Sequence, residues 1–242
     1  MTGADFRRGA VHGIPICLGY LSVSFGLGIM AVKSGLSVTE AAAISLFNLT
    51  SAGQAAGIGI ISAGGSLVEM ILAQFTINLR YSLMSLSLSQ KLDRTFTLPK
   101  RLIASYGITD EIFALASAQP GKLMPWYLYG MIAVSALGWV LGTVLGAAAG
   151  SILPPDISDA LGLMLYGMFL AIILPPARKE HSVLAAVLIA AAMSCAVYFL
   201  LPFISSGISV IICGAGAAAL CALFFPRPEE EDDSEGTEEA QP

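Results

Sequence analysis

Charge is what this sequence has least of. Only 12% of its 242 residues are Asp, Glu, Lys or Arg, against about 25% in a soluble domain. That is too little charge to clothe a water-facing surface, and with 56% hydrophobic residues it excludes a soluble enzyme. Histidine is scarce too. His12 and His181 are the only two, and both sit at predicted membrane boundaries, where they read as solvated at the interface. With no GxSG-type elbow either, an intramembrane hydrolase would lack its base and nucleophile. Cys17, Cys195, Cys213 and Cys221 lie in apolar runs without metal-ligand spacing and read as small buried hydrophobes. No GxxxxGKS or GxxxxGKT stretch occurs, so the chain has no phosphate-binding loop of its own. No metal or cofactor is expected. Basic residues scattered among apolar runs argue against nucleic acid as a partner.

What charge there is, is unevenly placed. Eight of the seventeen acids fall between Glu229 and Glu239. The net charge of −5 therefore belongs to the tail, and the rest is mildly basic. Three parts follow: a cytoplasmic N-terminus over 1–10, a transmembrane domain over 11–226, and an acidic cytoplasmic tail over 227–242, too polar to fold. Arg7 and Arg8 precede an apolar run that is longer than a signal peptide's and lacks an A-x-A site, so it reads as an uncleaved first span.

Apolar segments fall at 11–32, 38–62, 66–90, 103–119, 126–150, 157–174, 182–201 and 207–225. A helix needs about 20 residues to cross a bilayer. If the N-terminus is cytoplasmic and the first three segments all cross, the loop with Lys91, Arg94, Lys100 and Arg101 lands outside, against the positive-inside rule. The conflict disappears if 38–62, interrupted by Asn48 to Gln54, enters and leaves on the same side. The short, polar segment 103–119 then reads as a second re-entrant piece. Ten of the twelve basic residues end up cytoplasmic, Lys33 outside and Arg80 in the membrane. The predicted fold is an all-α polytopic membrane protein with about six crossing helices, two re-entrant or broken segments, and both termini cytoplasmic. Two interrupted segments suit a transporter core, which holds its substrate between broken helices. An inverted repeat is compatible with that plan, although no residue-level repeat is visible.

The polar residues within these segments are where chemistry would sit. On a helix over 66–90, Glu69, Thr76, Arg80 and Ser87 share one face, and Gln74, Asn78 and Ser85 lie roughly opposite. Polar on two faces, this helix is expected inside the bundle. Eleven residues separate Glu69 from Arg80, about 16 Å along the axis, so Arg80 needs an anion from elsewhere. It marks either a functional site or a structural pairing. Thr109 is placed to cap a helix whose first turn holds Asp110 and Glu111, where the helix dipole favours acids. Either acid could instead partner Arg80 or bind an ammonium or a proton. Asn48 to Gln54 offers neutral donors and acceptors, and a half-helix starting near 54 could hold a carboxylate on its N–H groups. Glu40 reads as a solvated cap. Trp126, Tyr127, Tyr129 and Tyr166 read as interfacial or packing aromatics. Gly138, Gly142, Gly146 and Gly150 form a ladder that lets another helix approach closely, either in this chain or in another subunit.

These residues make the sequence familiar. The stretches Phe75–Ser87, Ile108–Leu115 and Tyr129–Gly150 resemble the AzlC family, as do Pro15, Gly19 and Phe25-Gly26, Ala52–Ala56 and Tyr166–Pro175. The likeness covers about residues 6–225. It implies the large subunit of a two-component exporter of branched-chain or similar apolar amino acids in a bacterial inner membrane, working with a small AzlD-like membrane subunit. On that basis Arg80 or the broken-helix N–H groups would take the substrate carboxylate and Asp110 its ammonium. Asn78, Gln54 and Asn48 would complete the site, and Asp110, Glu111 or Glu69 would carry a coupling proton. Alternatives are a permease subunit energised by a separate ATPase and a structural membrane subunit without transport of its own.

Overall fold

A computed structural model describes residues 2–150, 177–225 and scattered positions between 152 and 175. Among the described residues the chain is helical, with no strand; a single β-bridge joins Leu92 to Leu123. Tyr166, most of segment 157–174 and the acidic tail lie outside the described residues.

The first helix, α1 (Thr2–Lys33), begins well before the expected boundary at 11. Asp5, Arg7 and Arg8 lie within it because Gly9 and Gly13 are already packed on a neighbour, which rewards continuing the helix. That neighbour is α7 (Pro125–Gly150), and the two helices form the most extensive packed pair among the described residues. They run parallel: Gly9 meets Tyr127, Gly13 meets Met131, and Gly28 meets Thr143 and Ala147. From the other side Gly138 lies on Cys17, Gly142 on Leu21 and Ser24, Gly146 on Phe25, and Gly150 on Ile29. The α7 ladder therefore packs within this chain. A Cβ at Gly142 or Gly146 would run into α1 backbone, so only glycine permits this approach.

Segment 38–62 is two helices, α2 (Val38–Phe47) and α3 (Ser51–Ser62), broken at Asn48 to Thr50. The α2 start is held by a capping box of Ser37 and the solvent-facing Glu40. The Thr50 hydroxyl accepts the Gly53 N–H, which starts α3 at Ser51, ahead of the expected 54. Leu36 and Glu40 line one crevice with Ile61 and Ser62, so α2 departs from and α3 returns to the same end. The second interrupted segment starts at 98, ahead of the expected 103, as α5 (Leu98–Tyr106) and α6 (Asp110–Ser117). Pro99 in the first turn of α5 is tolerated because its missing N–H has no intrahelical partner there.

Between the two hairpins runs α4 (Leu67–Ser89), antiparallel to α1 and α7. Its last turn joins the core cluster of Leu88, Phe96, Leu123 and Tyr127. The Lys91 ammonium binds the Ser117 carbonyl, Lys122 binds that of Gln90, and Arg8 donates to Gln119. The N-terminus of α1, the basic 90–101 loop and the α6–α7 connection thus share one end of the bundle, and α5–α6 enters from it. The α2–α3 hairpin enters from the other. At the breaks the hairpins meet, where the Tyr106 hydroxyl donates to the Leu46 carbonyl.

The expected burial of α4 on all sides is corrected. Its two polar rows border one buried strip (Glu69, Ala73, Leu88), while Val68, Ile71, Phe75, Leu79, Leu83 and Leu86 are exposed. Two polar rows about 160° apart still leave a third face for lipid. The last described helices are α8 (His181–Leu200) and α9 (Ser206–Phe224). Among the described residues, these and α1 and α7 are the four helices long and apolar enough to cross a membrane; α4 has the length, with 23 residues or about 34 Å, but carries the polar side chains. Of the cysteines, Cys213 is buried and Cys195 is exposed, because α8 presents most of its surface outward. His12 departs from the solvated reading: its Nδ1 lies 2.9 Å from the Tyr127 hydroxyl, and the two rings pack edge to face.

Candidate functional site

The two breaks deliver two half-helix N-termini, each capped by threonine, to the middle of the bundle. A helix start presents unsatisfied N–H groups and a partial positive charge. At α6 the Thr109 hydroxyl accepts the Ile112 N–H, and Asp110 and Glu111 occupy the first turn. The α4 helix brings Arg80 to Asp110. Its guanidinium lies 3.0 Å from one carboxylate oxygen and donates to the other at 3.2 Å. The partner that Arg80 needed is therefore Asp110. Both side chains remain about half exposed, at 47% and 48%, so the pair is reachable.

Arg80 also reaches the other half-helix. Its second nitrogen donates to the Tyr81 hydroxyl at 3.0 Å, with the guanidinium carbon 4.8 Å from the ring centre. The Tyr81 hydroxyl in turn donates to Thr50 Oγ1 at 3.2 Å. A continuous path of polar contacts thus runs from Asp110 through Arg80 and Tyr81 to the cap of α3. On the α6 side, the buried Tyr20 of α1 places its hydroxyl 2.5 Å from both Thr109 Oγ1 and Glu111 Oε2. Its ring packs edge to face on Trp139 at 5.2 Å.

A layer of neutral amides adjoins these charges. Gln74 donates to the Gly53 carbonyl at 2.7 Å and accepts from Asn78 at 3.0 Å and Asn48 at 3.4 Å. Gln54 is fully buried and accepts the Trp139 indole N–H at 3.0 Å. These bonds fix the amides and leave over one donor, Gln54 Nε2, and one acceptor, Asn78 Oδ1, neither with a partner among the described residues. Buried polar groups are normally paired, which sets these two atoms apart from the rest of the layer.

Glu69 stands apart. Its Oε1 accepts the Ser205 hydroxyl at 2.6 Å and the Gly207 N–H at 2.9 Å, tying the start of α4 to the start of α9 at the end away from the basic loop. Arg80, Asp110, Glu111, Asn78, Gln54 and Asn48 all border the two breaks. Tyr20, Tyr81, Gln74 and Trp139 complete the site and were not singled out by sequence as site residues. The usable signal was spacing: Tyr20 precedes Thr50 by about the separation that parts Tyr81 from Thr109.

The family model of the AzlC protein matches residues 15–153. "Inner membrane protein YgaZ" of Escherichia coli (strain K12) is 29% identical over 237 residues, covering 94% of this chain and 95% of its own length. A protein of Archaeoglobus fulgidus named only as an uncharacterized membrane protein is 36% identical over 182 residues, 74% of this chain and 78% of its own. One of the same name from Helicobacter pylori is 27% identical over 150 residues, 60% of this chain. No solved structure matches. The apolar helices and these relatives make this a membrane protein, and the family match spans more than half of it: the chain belongs to the AzlC family.

Proposed function

We propose that the protein exports branched-chain or similar apolar amino acids across a bacterial inner membrane, as a proton-coupled secondary carrier with both termini cytoplasmic and a small AzlD-like subunit as its partner. The observation that carries this reading is the Arg80–Asp110 pair, which puts a guanidinium and a carboxylate at contact distance between two half-helix starts, both open to a ligand. A zwitterion presents the complementary charges a few bonds apart. Its carboxylate replaces Asp110 on Arg80, its ammonium replaces Arg80 on Asp110, and neither protein charge is left unpaired at depth. Gln54 Nε2 and Asn78 Oδ1 supply the neutral donor and acceptor that remain. The apolar helices around the breaks suit a side chain without charge.

Glu69 lies away from the two breaks, at the contact of α4 with α9, so coupling falls to Asp110 and Glu111, which face the site. The test is leucine efflux from proteoliposomes holding the chain and its small partner, with and without a pH gradient. Arg80→Ala and Asp110→Asn should each slow efflux by about ten-fold or more, the scale of a lost charged hydrogen bond. Unchanged efflux in both variants would remove the site assignment. Flux that follows ATP and ignores an uncoupler would favour a permease subunit driven by a separate ATPase. No flux in any reconstitution would leave a structural subunit.

A further inference from the structure

The contacts of Tyr20 and Tyr81 are related in a way that their sequence surroundings conceal. The α2 helix starts after Ser37 and α5 after Thr97. The first half-helices end at Phe47 and Tyr106, and the second are capped by Thr50 and Thr109. Tyr20 and Tyr81 lie on the long helix before each hairpin. Every one of these pairs is about 60 residues apart. Residues of α1–α3 and of α4–α6 therefore form two equivalent units, and their hairpins enter from opposite ends. The tyrosines cross between the units: Tyr20 of the first holds the cap of the second unit's half-helix, and Tyr81 of the second holds the cap of the first.

The two crossings are not equally tight. The Tyr20 hydroxyl is buried, 2.5 Å from Thr109 and also 2.5 Å from Glu111. The Tyr81 hydroxyl is 3.2 Å from Thr50, half-buried, and shared with Arg80. We propose that Tyr20 and Tyr81 are paired latches, each holding the hairpin of the opposite unit shut, and that the carrier changes the side it opens to by exchanging which latch is tight. Two inverted units that exchange conformations convert a state open to one side into a state open to the other. In this structure the α5–α6 hairpin is latched and the α2–α3 hairpin is the looser one. The inference rests on the carrier reading, but its geometry requires no particular substrate.

The test reads sidedness rather than transport. The chain, with its four cysteines replaced by alanine, carries Ser51→Cys in the first turn of α3. It is labelled with a membrane-impermeant maleimide in right-side-out and in inverted vesicles. Tyr20→Phe should raise relative labelling from the end that holds the α1 N-terminus, where α5–α6 enters, and Tyr81→Phe from the other end. Each shift should be about five-fold or more in a two-state equilibrium, since each hydroxyl bonds a neutral cap and also a charged group, Glu111 for Tyr20 and Arg80 for Tyr81. Thr109→Val should reproduce the first shift and Thr50→Val the second, while the Thr→Ser variants keep the parent ratio. These side-specific shifts are not what a general loss of stability produces. Equal ratios, a shift in one variant alone, or shifts in the same direction would overturn the latches even if leucine efflux is intact. Opposite shifts without any amino-acid flux would instead leave the latches standing and remove the exporter reading.

Discussion

The two units are built alike and charged differently. Where the second has Arg80 before Tyr81, the first has Gly19 before Tyr20; where the second has Asp110 and Glu111 after Thr109, the first has Ser51 and Ala52 after Thr50. Both supply a capped half-helix and a crossing tyrosine, so these belong to the scaffold. All three charges at the breaks belong to the second unit. A charge at membrane depth is costly and is kept where it has a partner or a task. The scaffold alone does not demand the ion pair, since the first unit supplies only neutral groups at its break. On the proposed reading, symmetry serves the motion and the asymmetry serves the ligand.

That division can be broken by paired substitutions. The largest contrast is expected at the equivalent first-turn positions. Asp110→Asn should cut leucine efflux about ten-fold or more, while Ser51→Ala should change it less than about two-fold; equal losses would mean that both units bind. Next come the glycines. In Gly146→Val the added side chain meets the Phe25 backbone, and overpacking of this kind costs about 1–3 kcal/mol, visible as a lower unfolding midpoint in detergent. Gly19→Ala, with open space around it, should leave the midpoint where it is. Glu69 and Glu111 make a third pair, both carboxylates with a hydroxyl partner. Glu69→Gln should leave the pH dependence of efflux unchanged and Glu111→Gln should flatten it; the reverse would move coupling to the α4–α9 contact.

The smallest effect lies in the turns that lead into α2 and α5. The first uses Gly35 with a positive φ of 88°, which glycine adopts without strain. The second uses Asp93, whose carboxylate accepts the Thr95 N–H at 2.9 Å. That bond and the Thr95 side chain hold the Asp93 carboxyl below its usual range. A depressed folded-state pKa stabilises above the unfolded value and stops doing so as pH falls through the folded one. Asp93→Ala should therefore lower the unfolding midpoint slightly at pH 7, and the gap to wild type should close in acid.

Much of this was legible in local signals. Thr109 followed by two acids reads as a cap, and Asn48 to Gln54 reads as a break, because both depend on neighbours in sequence. The geography of twelve basic residues required two segments that turn back, and the hairpins do enter from opposite ends. Other features depend on distant partners. Nothing near Glu69 announces Ser205, 136 residues away, and the glycine ladder could not name α1 as the helix it meets. The repeat is illegible in the sequence because it survives only in a few caps and tyrosines among interchangeable apolar residues. The early start of α1 was hidden by its charges: Arg7 and Arg8 look like a boundary, yet Gly9 and Gly13 extend the helix by packing on α7.

The central claim is that the second unit's charges recognise both ends of a zwitterion. The most direct measurement compares binding of leucine, of 4-methylpentanoate, which lacks the ammonium, and of isoamylamine, which lacks the carboxylate, to the reconstituted protein. Leucine should bind at least about ten-fold more tightly than either analogue, and Asp110→Asn should abolish its advantage over the carboxylate alone. Equal affinity for all three compounds, or a preference for leucine that survives in both Arg80→Ala and Asp110→Asn, would contradict the account.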